Sequence, residues 1–399
     1  MASGITPSEQ FVFSVCRESF LSLWSCANPR GKTTGKELAD ILVVCDPDIV
    51  LVSVKEIGLS ITADPAVQRQ RWWKKAIEQS ADQLYGADRI LRGSKNVVLA
   101  DGTEGLAIPP PDRLRVHRIA VALGSEGKVP LKFGDFGKGF VHVLDERSFT
   151  VLLRELDTIT DLTTYLTRKE QFLGKTSPIF EREEDLLAFY LKYQRSFPEA
   201  DVIILDSDLW TTFSSGADYR KRRELDQASY MWDRLIETIS IDLQVDKFGF
   251  GSGVRDAEIG LRVMAREDRF SRRILGKQFR KFLDRTETIR ARMMPAPSGI
   301  VYVLLACPHD TGRQIRTDEL QLRCFVARGL FPKAQTVIGI ATERHERGKG
   351  YSLDLTCLHQ ATWTTEDQER MEGIQKDLGY FVNPTQTTAH EDEYPTTKE

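Results

Sequence analysis

The 399-residue chain is 41% hydrophobic and 28% charged, with enough length and apolar material for two or three domains with ordinary packed cores. Its formal net charge of −3 selects no class of partner, and its longest apolar run, Ile300 to Cys307, is too short to span a bilayer. The opening MASGITPSEQ has no basic stretch followed by an apolar one, and the six cysteines lack close spacings, so a cytoplasmic protein with reduced thiols and no membrane partner is expected.

Residues 8–24 carry Val12, Cys16, Phe20 and Leu23 at helical spacing and predict a helix. Leu38 to Cys45 and Asp48 to Lys55 are aliphatic, largely β-branched runs separated by the turn formers Asp46 and Pro47, which predicts an antiparallel hairpin. A turn centred between those two places Asp40 opposite Ser53 and Leu38 opposite Lys55. Alternation then sets Asp40, Leu42 and Val44 on one face with Ile49, Leu51, Ser53 and Lys55, and sets Ile41, Val43, Val50, Val52 and Val54 on the other. Both faces are apolar, as in strands covered by helices on each side. One end of this dry hairpin therefore holds an Asp, a Ser and a Lys on a single face.

A long helix entered at Pro65 follows, with Trp73, Ile77, Leu84 and Leu91 on one side. Strands at 114–123 and 140–145 complete a first domain, 1–146. Residues 147–294 read as a helical domain, in which Leu152, Leu156, Ile159 and Leu166 share its first helix. Residues 295–383 read as a smaller α/β domain: a strand at 300–307, a helix near 318–331, strands at 335–342 and 351–358, and a helix from 365. The stretch 384–399 has no apolar periodicity and predicts a disordered tail.

The order of a helix, a hairpin with Asp on its first strand and x-Lys ending its second, then a long helix and a further strand, resembles the PD-(D/E)xK restriction-endonuclease-like nucleases over the first third of the chain. The resemblance implies an α/β fold whose mixed sheet is flanked by helices, followed here by the helical segment and the smaller C-terminal α/β unit. It also implies Mg²⁺, or Mn²⁺ in its place, held by Asp40 and a second acid, with Lys55 positioning the attacking water. The string Pro47-Asp48 is a decoy, because it falls in the turn and Asp48 points away from Lys55. This sequence departs from the family pattern at Ser53, where the family has Asp or Glu. A hydroxyl is a poor magnesium ligand, and some members supply the acid from the following helix, which offers Glu78. Glu37 reaches the site if the strand begins only at Leu38, and Glu18 on the first helix is a further choice; Glu56 points to the far face. The implied activity is hydrolysis of phosphodiester bonds in DNA rather than RNA, and by analogy prokaryotic restriction or antiviral defence, with a homo-oligomer or a defence-system protein as partner. The competing class is an inactive nuclease fold serving as a nucleic-acid-binding or scaffold subunit.

Between Arg255 and Arg292 there are twelve Lys or Arg against six Asp or Glu. On one continuous helix Arg262, Arg266, Arg269, Arg273, Lys277 and Arg280 would form a cationic stripe suited to a row of phosphates. The same face equally suits a solvated surface partly neutralised by Glu258, Glu267 and Asp268. Gly31-Lys32-Thr33 lacks the earlier glycine and preceding strand of a phosphate-binding loop, and the pairs Cys307/His309 and Cys357/His359 match no usual zinc spacing.

Overall fold

The computed structural model of the chain describes all residues except 1–4, 32–36, 60–63, 245–253, 284–289, 345, 347, 387–390 and 395–399. Thr6 and Glu9 close a capping box at the start of helix α1 (Pro7–Phe20). Strand β1 (Ser25–Ala27) pairs antiparallel with β2 (Ile41–Cys45), which turns through Asp46 and Pro47 into β3 (Asp48–Glu56). β1 gave no signal in the sequence, since three residues are too few to display alternation. Ile41 faces Val52 and Cys45 faces Asp48, which is the expected register.

The face bearing Leu42, Val44, Ile49 and Leu51 packs on Trp72, Ile77, Ala81 and Leu84. These belong to α2 (Pro65–Trp73), a π turn (Lys74–Glu78) and α3 (Gln79–Leu91). The π turn corrects the expected phase of this helix. One α turn back from Ile77 reaches Trp73, but the longer π turn reaches Trp72, and it is Trp72 that is buried.

A small antiparallel pair, β4 (Asn96–Val98) and β5 (Glu104–Ala107), precedes β6 (Arg115–Leu123), β7 (Gly134–Asp135) and β8 (Phe140–Leu144). The main sheet is mixed and six-stranded, in the order β1-β2-β3-β6-β8-β7, with β3, β6 and β8 mutually parallel. α3 covers one face. On the other lie α1 and α4 (Glu146–Glu155). The single helix expected across 149–166 is two, because Thr158 caps α5 (Ile159–Leu173) by accepting from the Asp161 N–H. β9 (Ser177–Ile179), α6 (Glu183–Lys192), β10 (Val202–Ile204) and α7 (Leu209–Ser215) follow, then α8 (Ala217–Asp226).

His142 on β8 is fully buried, with Nε2 3.0 Å from a Glu170 carboxylate oxygen. Burial outweighs that neighbour and holds its pKa down to about 4. Between the ordinary value near 6.5 and this lower one, the unfolded chain binds a proton that the folded chain refuses. Stability from this group is therefore complete above pH 6.5 and declines toward pH 4, by at most about 3 kcal/mol. His142→Gln is expected to flatten that part of the denaturation midpoint against pH; an unchanged profile would assign the acid sensitivity elsewhere.

The second unit holds a 3₁₀ turn (Gln227–Ser229), α9 (Tyr230–Gln244), α10 (Val254–Ala265) and α11 (Arg269–Leu283). Its sheet runs β11 (Arg290–Pro295), β12 (Val301–Cys307), β13 (Thr336–Glu343), β14 (Leu353–His359), with α12 (Arg313–Leu330) crossing between the parallel β12 and β13. α13 (Thr365–Leu378) packs on α12.

The chain divides into two compact units, Met1–Arg220 and Lys221–Glu399. The stretch 147–294 does not stand as a domain of its own. α4 packs on the first sheet, whereas α10 and α11 pack on β14 and β12 of the second, so each group of helices joins the sheet whose apolar face it covers. Part of the expected disordered tail is docked: Glu391 pairs with Lys277 at 2.8 Å. Among the described residues no helix is long and apolar enough to cross a membrane.

Candidate functional site

Asp40 stands just before β2, 3% exposed, and its carboxylate accepts the backbone N–H of Val54 on β3. Its carbonyl accepts from Asn28 N–H at 2.9 Å, so the residue is held from both sides. Glu37 lies three residues earlier, where its backbone bridges to Arg30 outside any regular strand. Strand alternation therefore does not turn it away. Its carboxyl hydrogen-bonds to that of Asp40. Although the residue as a whole is exposed, partial burial of this carboxyl, then the Asp40 hydrogen bond and charge, then Glu9, push its pKa up to about 7; Lys55 opposes them. The Glu37 and Asp40 carboxyls thus lie together, with the half-buried Lys55 ammonium near enough to act on Glu37.

The position opposite Asp40 on β3 is neutral. Ser53 is fully buried and donates to Oε1 of Gln83 on α3 at 3.0 Å. Gln83, rather than Glu78, is the helical side chain over Ser53. Glu78 closes the π turn on the exposed side of the helix. Glu18 is also exposed; the α1 acid that acts on Glu37 is Glu9, nine residues and roughly 13 Å nearer the helix start. The sequence signal for Glu9 was its capping box with Thr6. Glu56 takes the other face and accepts from Ser8 Oγ. Tyr85 is a core-edge ring whose hydroxyl donates to the Gly139 carbonyl. Asp48, the decoy, is consumed at the far end of β3 by His117 at 3.0 Å and Arg115 at 2.8 Å.

The donor set suits a magnesium-sized ion. Such ions take one or two carboxylates and complete their shell with water and substrate phosphate. Asp40 and Glu37 would hold it.

The cationic stripe does not form. The helix breaks between α10 and α11, where Glu267 is drawn into the core by Tyr302 at 2.9 Å and Ser298 at 2.6 Å, while Asp268 accepts from Ser271 N–H. Beyond the break Arg269 and Arg273 are buried, 2% and 0% exposed. Arg269 binds Asp233 at 2.7 Å; Arg273 lies 3.2 Å from Asp226 and donates to the carbonyls of Asp392 and Glu393. Arg262 pairs with Glu258 at 3.3 Å and Lys277 with Glu391, while Arg280 is exposed and Arg266 partly so. Amphipathic spacing put these cations on a common face, but that face points inward for its central members. A row of phosphates cannot reach guanidinium groups buried and paired in the core.

Cys307 and Cys357 lie on different strands, β12 and β14, separated by β13, which removes the zinc arrangement. Of the phosphate-loop fragment, Lys32 and Thr33 lie outside the described residues. A cavity of about 1240 Å³ opens beyond β3, β6 and β8 on the Glu56 face. Its rim carries Glu56, Glu126, Glu146 and Glu184 against Lys128 and Arg147 among its charged groups, a poor path for phosphate. No family model, no curated protein and no solved structure matches this chain.

Proposed function

We propose that the chain is a metal-dependent nuclease of the PD-(D/E)xK kind that hydrolyses phosphodiester bonds in DNA. The observation that carries this reading is the meeting of Asp40, Glu37 and Lys55 at one end of a doubly covered hairpin. The element order supports it: a helix, the antiparallel β1-β2-β3, a long helix, and β6 parallel to β3. A role in prokaryotic restriction or antiviral defence is carried over by analogy from the resemblance.

When bound, Mg²⁺ or Mn²⁺ would supply positive charge to the scissile phosphate and a water of lowered pKa. Asp40, locked by the Val54 N–H, fixes one ligand position. Glu37 provides the carboxylate absent at Ser53, arriving from the lead-in to β2 instead of from β3 or α3. Lys55 holds a cation beside the carboxylates, where it stabilises an attacking hydroxide and the charge developing on phosphate. The buried Ser53–Gln83 bond is neutral and spares the site a third negative charge in a dry place.

The neutral Ser53 favours one second reading, an inactive nuclease fold that binds nucleic acid. A plasmid and labelled-oligonucleotide cleavage assay with Mg²⁺ or Mn²⁺ separates the two. Glu37→Gln is expected to weaken metal-supported cleavage by on the order of a hundredfold, whereas Glu78→Gln cleaves like the parent across a metal titration. The reverse ranking would return the second acid to α3, and no cleavage by the parent with either metal would favour the inactive fold.

A further inference from the structure

The nuclease reading requires a surface that follows a phosphate backbone, and α10 with α11 does not provide one. A different segment carries free cations. From Pro65 to Ile77 the chain has Arg69, Arg71, Lys74 and Lys75 and no carboxylate. All four are exposed, and among the described residues none forms an ion pair with a carboxylate. Arg71 with Lys74 and Arg71 with Lys75 are like-charge neighbours at i,i+3 and i,i+4, each costing the helix a few tenths of a kcal/mol, about 0.2–0.5. The acids that flank the segment, Asp64, which caps the helix at Ala66 N–H, and exposed Glu78, form no ion pair with these four among the described residues, which leaves the cations open to an external polyanion.

The segment is fixed at the end of the sheet where the candidate site lies. The Trp72 indole N–H donates to the carbonyl of Ile57, two residues beyond Lys55, at 2.8 Å. The Trp73 indole N–H donates to the carbonyl of Pro130, in the loop after β6, also at 2.8 Å. Further along the helix Gln83 sits over Ser53. The helix therefore runs antiparallel to β3, and its cationic start overhangs the strand ends that present Asp40 and Lys55. Exposed Lys132 lies 3.9 Å from the Trp73 ring centroid and extends the patch across the loop. The π turn that carries Lys74 and Lys75 is a rare feature that recurs at functional sites.

We infer that Arg69, Arg71, Lys74 and Lys75, with Lys132, form the surface that binds the nucleic-acid backbone and delivers it to the Asp40–Lys55 end of the sheet. The inference rests on the nuclease reading for its choice of polyanion. Base identity plays no part in contacts of this kind, so the surface is sequence-independent.

The test is binding of a labelled duplex oligonucleotide to the full chain by fluorescence anisotropy, with metal chelated so that cleavage cannot interfere, at several salt concentrations. Lys74→Glu/Lys75→Glu is expected to weaken binding on the order of tenfold or more, and to make log affinity against log salt shallower by about 0.9 for each phosphate that the variant no longer neutralises. Lys74→Ala/Lys75→Ala should do the same more mildly. Lys333→Glu/Lys376→Glu makes the same change in net charge at exposed positions of the second unit and should bind like the parent. Equal losses in both reversal variants, or parent-like affinity and slope in Lys74→Glu/Lys75→Glu, would overturn the inference. So would a parent that binds anionic phosphatidylserine vesicles and not the oligonucleotide. Cleavage by the parent keeps the two readings apart. If the parent binds through Lys74 and Lys75 yet cleaves with no metal ion tried, the surface stands and the nuclease reading falls; if the parent cleaves and the double variant binds unaltered, the nuclease reading stands and the surface falls.

Discussion

Replacing Lys55 by Ala, or Asp40 by Asn, is expected to reduce Mg²⁺-dependent cleavage by at least about 10²–10³-fold while leaving the fold intact. The two changes differ in kind. Asp40→Asn keeps the shape and still offers an oxygen to the Val54 N–H, but removes the charge that would hold the ion beside Glu37. Lys55→Ala leaves both carboxylates and removes the cation beside them. Metal titration therefore distinguishes the variants: Asp40→Asn loses metal-induced stabilisation against heat, whereas Lys55→Ala keeps it and loses turnover alone. Full cleavage by a folded Lys55→Ala protein would remove Lys55 from the site, and with it the reading of the hairpin as catalytic.

The largest effect on stability is expected from Asp233 in α9. Its carboxylate bridges Arg269 at 2.7 Å and Arg272 at 2.6 Å, and both guanidinium groups are 2% exposed. Burial alone would raise its pKa, but Arg272 and Arg269 outweigh that and hold it below the usual carboxylate range. Asp233→Ala removes the carboxylate that bridges two buried guanidinium groups, a loss of about 3–5 kcal/mol. Chemical denaturation should show this in the second unit, with the first unit's transition unmoved. Asp233→Asn, which can still accept from one guanidinium, should fall between parent and Ala. A cost below about 1 kcal/mol would mean that these arginines find water, and would reopen a ligand-binding role for them.

The hairpin and the buried arginines differ in how far the chain announces them. The hairpin was legible because its determinants are local: period-two alternation, a two-residue turn and strand length specify the partners of Ile41 and Cys45 and the faces of Leu42 and Val43 without reference to anything distant. For the same reason the order of residues alone places Asp40 and Lys55 on one face and sets Asp48 aside. In the C-terminal sheet β12, α12, β13 and β14 were legible through the same periodicities, whereas β11 begins inside the stretch expected to be helical.

Which acid joins Asp40 depended on where β2 begins. Strict alternation carried back through Glu37 would turn it to the far face, but the strand proper starts at Ile41, and the irregular lead-in brings that carboxyl to Asp40. The π turn shifted the helix by one residue, burying Trp72 in place of Trp73 and leaving Glu78 on the exposed side. The basic stretch shows the same limit from the other direction. Helical spacing determines that Arg269 and Arg273 share a face, but whether that face meets water or Asp233 and Asp226 is decided by α9 and by residues more than thirty positions away. Spacing along the chain fixes relative direction, because backbone geometry is local; burial and charge pairing belong to contacts between distant segments, and only the packed tertiary structure determines those.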